Sequence, residues 1–174
     1  TVDLHDTVMS EDETISLNGE WMFYPSTFII DDTPETMQEP RHIQVPADWK
    51  SEMEPITRNA LGYGSYRLKI LLPEQEETIY GIQLNGFGAF ASVYINGNRV
   101  NKDNFADKQP IEKIKKQGPM TSIFTTDDKE IDLVIQVSNY DSFNSGGLKD
   151  SVRFGLQSAI SKEASFSKSL QLFV

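Results

Sequence analysis

Between Glu130 and Asn139 the side chains of Ile131, Leu133, Ile135 and Val137 stand at every second position. A strand turns successive side chains to opposite faces, so this row lines one face of a sheet and cannot line one face of a helix. The same alternation recurs at Tyr66, Leu68 and Ile70, with Arg67 and Lys69 pointing the other way. Shorter runs repeat it at Tyr80, Ile82 and Leu84, and at Val152 and Phe154. Near the start, Ile15 and Leu17 lead through an Asn18-Gly19 turn to Trp21 and Phe23. Ala91 to Ile95 ends at Asn96-Gly97, two residues that tolerate the positive φ of a tight hairpin, and Arg99-Val100 returns along the other arm. Strands at this spacing, with no strand–helix–strand rhythm, predict an all-β fold, a two-sheet antiparallel sandwich forming one domain over residues 1–174.

The remaining segments are less regular. Residues 1–14 are polar and acidic and read as a lead-in strand or a loose tail. Residues 25–42 carry Pro25, Pro34 and Pro40 and read as loop. Val45 to Trp49 is a short extended piece, and 50–62 is irregular. In the polar stretch 101–122, Ile111 and Ile114 suggest one short helix. In 156–174 the residues Leu156, Ile160 and Phe166 fit a helix loosely, whereas the final Ser-Leu-Gln-Leu-Phe-Val fits a last strand better.

Composition excludes several kinds of chemistry. With 174 residues and 38% apolar content the chain can bury a core without staples, and it contains no cysteine. That removes disulfides, thiolate nucleophiles and sulfur-ligated metals together. A net charge of −10 repels a phosphate backbone, so nucleic acid is not an expected partner. The lysines at 108, 113, 115 and 116 read as a solvated face. No apolar run reaches the eighteen or so residues of a membrane span, Thr1 begins no signal peptide, and both ends read as trimmed.

No catalytic constellation emerges. His5 and His42 are far from any metal-ligand spacing. The carboxylate pairs Asp31-Asp32, Glu76-Glu77 and Asp127-Asp128 sit in turn-like stretches that point into water rather than across a substrate. Gly86-Phe87-Gly88 lies between strands, not before a helix, and so is no nucleotide-binding loop. A structural calcium ion on loop carboxylates is compatible with such a fold, but no loop has calcium-site spacing. The expectation is no catalytic residue, no metal ligand and no cofactor.

Aromatic and planar hydrogen-bonding groups remain. Trp49 ends a strand, Tyr63 and Tyr66 flank Gly64, and Tyr140 and Phe143 lie in a turn-rich loop. Arg67 and Arg153 project away from their core-facing neighbours. Aromatic platforms combined with guanidinium forks suit recognition of sugars or small anions. The ligand-binding candidates are therefore Trp49, Tyr63, Arg67, Tyr140 and Arg153.

Several of these residues belong to blocks that carry a resemblance. Leu17 to Tyr24, Val45-Pro46-Ala47-Asp48-Trp49, Gly62 to Leu68 and Ala91 to Gly97 follow in order, as do Leu133 to Tyr140 and Gly146-Gly147-Leu148. Together they resemble the extracytoplasmic sensor domain of bacterial seven-transmembrane receptors with diverse intracellular signalling modules. More distantly, the Asn-Gly-Glu-Trp, Val-Pro-x-x-Trp and Tyr-x-Asn-Gly elements resemble the sugar-binding domain of glycoside hydrolase family 2. The resemblance implies a galactose-binding-like jelly roll ahead of a membrane region, with residues 156–174 approaching the first membrane helix. It implies a carbohydrate or other small-molecule ligand and a cytoplasmic output such as a histidine kinase, cyclase or phosphatase. The stretch 101–122 departs from the family's usual short connection, so contacts there cannot be carried over.

Three readings stand at this point. The first is the ligand-sensing ectodomain of a membrane signalling receptor, placed at the cell surface or in the periplasm. The second is a non-catalytic sugar-binding domain of a secreted glycosidase. The third is a dimerisation module whose sheet face meets a second copy.

Overall fold

The computed structural model describes residues 1–85, 90–102, 104–110 and 119–172, with side chains up to residue 165. Its strands are β1 (Val2–Asp3), β2 (Ile15–Ser16), β3 (Gly19–Pro25), β4 (Arg41–Val45) and β5 (Gly62–Leu71). They continue with β6 (Thr78–Leu84), β7 (Phe90–Ile95), β8 (Asn98–Arg99), β9 (Met120–Thr126), β10 (Glu130–Asn139) and β11 (Val152–Leu156). Helix α1 spans Lys50–Thr57 and helix α2 spans Gln157–Leu172.

The strands form two sheets, packed as a jelly-roll sandwich. The larger runs β4-β3-β5-β10-β7-β8, and β1 pairs in parallel with the end of β5, Val2 against Ile70. The smaller runs β2-β11-β6-β9. The alternating rows face each other across the interior, as the sequence predicts. Tyr66, Ile70, Ile131 and Ile135 of the large sheet and Tyr80, Ile82 and Phe154 of the small sheet are fully buried. Asn96 and Gly97 both adopt positive φ, at 49° and 84°, and close the β7–β8 hairpin.

Three expectations change. The irregular stretch after Trp49 begins with α1: Asp48 accepts the Lys50 N–H at 2.7 Å, and Met53 fills the core beneath. The helix stops where Arg58 turns left-handed, at φ 68°. The end of the polar stretch 101–122 opens β9, where Ser122, Phe124 and Thr126 alternate with exposed Thr121, Ile123 and Thr125. Half of that strand's inward positions carry hydroxyls, which hides its period from a hydrophobicity reading. The chain after β11 is helix, not strand. Ala159 and Ile160 are buried and Glu163 follows one turn later on the same side. Of the two readings of residues 1–14 the lead-in strand holds, because β1 joins the sheet and Leu4 is buried, its N–H bonded to the Leu71 carbonyl at 2.8 Å. The helix suggested at Ile111 and Ile114, and the Gly86-Phe87-Gly88 segment, lie outside the described residues.

Candidate ligand-binding face

Register places whole rows of side chains on the outward face of the large sheet. One row crosses it from His42 through Met22, Arg67, Val134 and Tyr94 to Arg99. The next row, Tyr24, Ser65, Gln136 and Ser92, is followed by Tyr63, Ser138 and Phe90. The two halves of this face differ in what lies over them.

Loops cover the second and third rows. Ser65 donates its hydroxyl to the Thr27 carbonyl at 2.7 Å and accepts the Ile29 N–H at 3.1 Å. Gln136 accepts the Ile30 N–H at 3.0 Å and donates to Asp31 at 3.1 Å. Ser92 and Ser138 accept the N–H groups of Ala106 and Asp107 at 3.0 and 3.2 Å. Outward polar side chains thus hold segments 27–31 and 104–108 flat against the sheet. Ser65, Ser92, Gln136 and Ser138 are buried as a result, with their hydrogen bonds made.

Among the described residues the first row stays open only at its His42–Met22–Arg67 end, since Val134 and Tyr94 are buried. A trough of about 480 Å³ lies over it, with Met22 and Arg67 among its lining and Glu20, His42, Lys69 and Glu130 around them. Arg67 donates from Nε and a terminal nitrogen to both Asp132 oxygens at 2.9 and 2.8 Å. That two-pronged pairing raises the guanidinium pKa and fixes its plane. His42 and Glu20 pair at 3.0 Å, and Lys69 and Glu130 at 3.1 Å. Donors and acceptors therefore alternate around the trough. Among the described residues no group of three or more His, Asp or Glu side chains could hold a metal ion.

The five nominated residues have separate fates. Arg67 is in the trough. Tyr63 and Tyr140 come together at the covered end, where the Tyr140 hydroxyl donates to the Lys108 carbonyl and Tyr63 packs on Phe28 at 4.8 Å between centroids. Burial, then Tyr63 and Asp107, push the Tyr140 hydroxyl up to about 12. Trp49 offers no platform. It is wholly buried, donates its indole N–H to the Ala60 carbonyl at 2.8 Å, and lies parallel to Tyr66. Arg153 belongs to the other sheet. Its guanidinium donates to Thr14 at 2.9 Å and to Ser16, and it lies 3.8 Å from Glu163, which ties it to the seat of α2. Sequence reasoning does not single out Lys108, Asp32 or Gln136: it reads Asp32 as a solvated carboxylate and Lys108 as part of a solvated lysine face, and nothing local to either residue shows that they meet.

Two antiparallel sheets in this order, packed around a deep aromatic core, define a jelly-roll β-sandwich. No family model matches the chain, and no curated protein matches it. Solved structures do. The GH2 beta-galacturonidase from Eisenbergiella tayi bound to galacturonate matches over 85% of this chain and 25% of its own, at 16% identity and TM-score 0.58. The beta-D-glucuronidase of Dictyoglomus thermophilum matches over 84% and 28%, at 21% identity and TM-score 0.59. A glucuronidase from Ruminococcus gnavus in complex with D-glucaro-d-lactam matches over 86% and 30%, at 18% identity and TM-score 0.60. Likeness at these identities establishes the fold. The chain spans about a quarter to a third of each enzyme's length.

Proposed function

We propose that this chain is a recognition domain without chemistry of its own, taking a carbohydrate or another small polar ligand in the trough around Arg67. In the fuller reading it is the extracytoplasmic sensor of a bacterial membrane signalling receptor. The trough is the observation that carries the binding half. It presents an arginine fork pre-oriented by Asp132, with further donor–acceptor pairs around it on a rigid sheet. Neighbouring hydroxyls of a sugar need that alternation of donors and acceptors. The receptor half rests on the ordered blocks from Leu17 to Leu148.

The solved structures favour a second parent, a GH2-like glycosidase in which this sandwich is a non-catalytic domain. The gene downstream of Val174 separates the two. About twenty consecutive apolar residues would support the receptor, whereas a second sandwich followed by a barrel would support the glycosidase.

A thermal-shift screen of neutral sugars, hexuronic acids and amino acids tests the binding itself. A ligand at a hundred times its Kd should add roughly 2.7 kcal/mol of stability. Arg67→Ala should weaken that ligand roughly tenfold or more. It should cost the free protein at most about 1 kcal/mol, because the Arg67–Asp132 pair is exposed. Undiminished binding by Arg67→Ala would remove the trough from consideration.

A further inference from the structure

The covered end of the same sheet holds an ammonium group in a small box. Lys108 Nζ lies 5.7 Å from the centre of the Tyr63 ring and 6.0 Å from that of Phe28, within the range at which a ring face attracts a cation. On its other side it pairs with Asp32. That carboxylate is 7% exposed, and its second oxygen accepts the Phe28 N–H at 2.7 Å, so its position does not depend on the lysine. The aromatic walls are also fixed independently: Tyr63 sits in strand β5 and Phe28 in a loop bound to Ser65.

The lysine is the least constrained part of the arrangement. Its side chain is 38% exposed and reaches the box on a four-carbon stem. Beside it opens a cleft of about 420 Å³ between the two covering segments, lined by Phe28, Asp31, Ala106, Asp107 and Lys108. Asp31 and Asp107 are exposed on this cleft and give it a negative approach.

We propose that this box is a binding site for a ligand bearing an ammonium group, and that the Lys108 side chain occupies it as an internal stand-in. With Lys108 over it the carboxylate is 7% exposed, and an ammonium held there offsets the cost of covering it. The same groups then select for a primary or quaternary ammonium on a small molecule, with the rest of the ligand in the cleft. The site is separate from the trough and does not depend on what the trough binds.

Choline chloride is the probe, with sodium chloride at equal ionic strength as the reference. Lys108→Met empties the box while keeping most of the stem, and circular dichroism confirms its fold. Choline should bind Lys108→Met saturably and roughly tenfold more tightly than it binds the unaltered chain. Adding Asp32→Asn should abolish that binding, and Arg67→Ala should leave it unchanged. In the unaltered chain, choline should speed hydrogen exchange at the Asp107 and Lys108 amides by displacing the side chain. No saturable binding to Lys108→Met, or equal binding with and without Asp32, would overturn the proposal. If Lys108→Met does not fold, the exchange measurement decides alone, and identical rates in the two salts overturn it.

Discussion

Asn139 donates its side-chain amide towards the carbonyls of Ala60, Ser142 and Ser145, at 2.9 to 3.0 Å. Trp49 donates to the same Ala60 carbonyl, and the Tyr66 hydroxyl accepts the Leu148 N–H at 3.2 Å. Gly146 and Gly147 complete the knot. A Cβ on Gly146 would come 2.5 Å from the Trp49 indole nitrogen, and one on Gly147 would come 3.0 Å from Trp49 Cβ at a φ of 84°. Four of the blocks that carry the family resemblance, those holding Trp49, Tyr66, Asn139 and Gly146-Gly147-Leu148, therefore meet in a buried hub that shapes the loop end of the sandwich. Their identities were plain in the sequence, but their purpose was not, because Trp49 meets partners 11 and about 97 positions further along. A tryptophan at the end of a strand looks the same whether solvent or a distant glycine lies over it. Trp49→Ala should cost about 3–5 kcal/mol through the cavity it leaves, read as a fall in the denaturant midpoint with the slope unchanged. A loss below about 1 kcal/mol would return Trp49 to the surface.

At the scale of elements, legibility followed hydrophobic period. β10 could be read to the residue, and β5 through its Tyr66–Ile70 alternation though not at its Gly62 start, because apolar and polar positions separate cleanly there. β9 and α2 could not, being rich in Ser, Thr and Lys, and each takes its form from its neighbour in space. Gly81 and Gly155 stand directly opposite each other in the small sheet. This bare patch admits α2 and the chain at Thr14. A Cβ on Gly81 would meet Ile160 at 2.9 Å, and one on Gly155 would meet Thr14 at 3.4 Å. Gly81→Val should therefore lift the helix, raising hydrogen exchange over 159–165 while β10 stays protected. Equal exchange in both proteins would show that the patch is not the seat. A polar clamp completes the docking. Thr14 donates its N–H and hydroxyl to Glu163 at 2.9 and 2.6 Å. Burial alone would push the Glu163 carboxyl up, but the Thr14 bonds and Arg153 outweigh it and hold the pKa below its ordinary 4.5. A depressed carboxyl stabilises the fold fully above its unfolded value and loses that contribution as pH falls through the folded one. Acid should thus loosen α2 before the sandwich, measured by hydrogen exchange in steps below pH 4.5. Glu163→Gln should remove most of that acid dependence, and an unchanged profile would exclude the clamp as its source.

Across the whole molecule the two sheets divide their outward faces differently. On the small sheet α2 lies across the glycine patch, whereas among the described residues the large sheet is roofed by loops over one half and open in the other around Met22 and Arg67. The open half and the roofed half each carry one of the proposed sites, on strands continuous through the middle of the same sheet. Sequence alone reached the two-sheet architecture and placed Arg67 outward. It could not reach the roof, since Ser65, Ser92, Gln136 and Ser138 look like the solvent side of a strand until loops 27–31 and 104–108 are laid over them. The clamp at Thr14 also has a mechanical side. Residues 12–16 and 162–163 are joined by the Thr14–Glu163 bonds and a Lys162–Asp12 pair, beside a helix that touches the sandwich along one flank. A pull along α2 would load those few bonds first and in shear, while the strand ladders within each sheet stayed slack. The helix would then come away as a discrete early event, at a force set by Thr14, Arg153 and Glu163 rather than by the aromatic core.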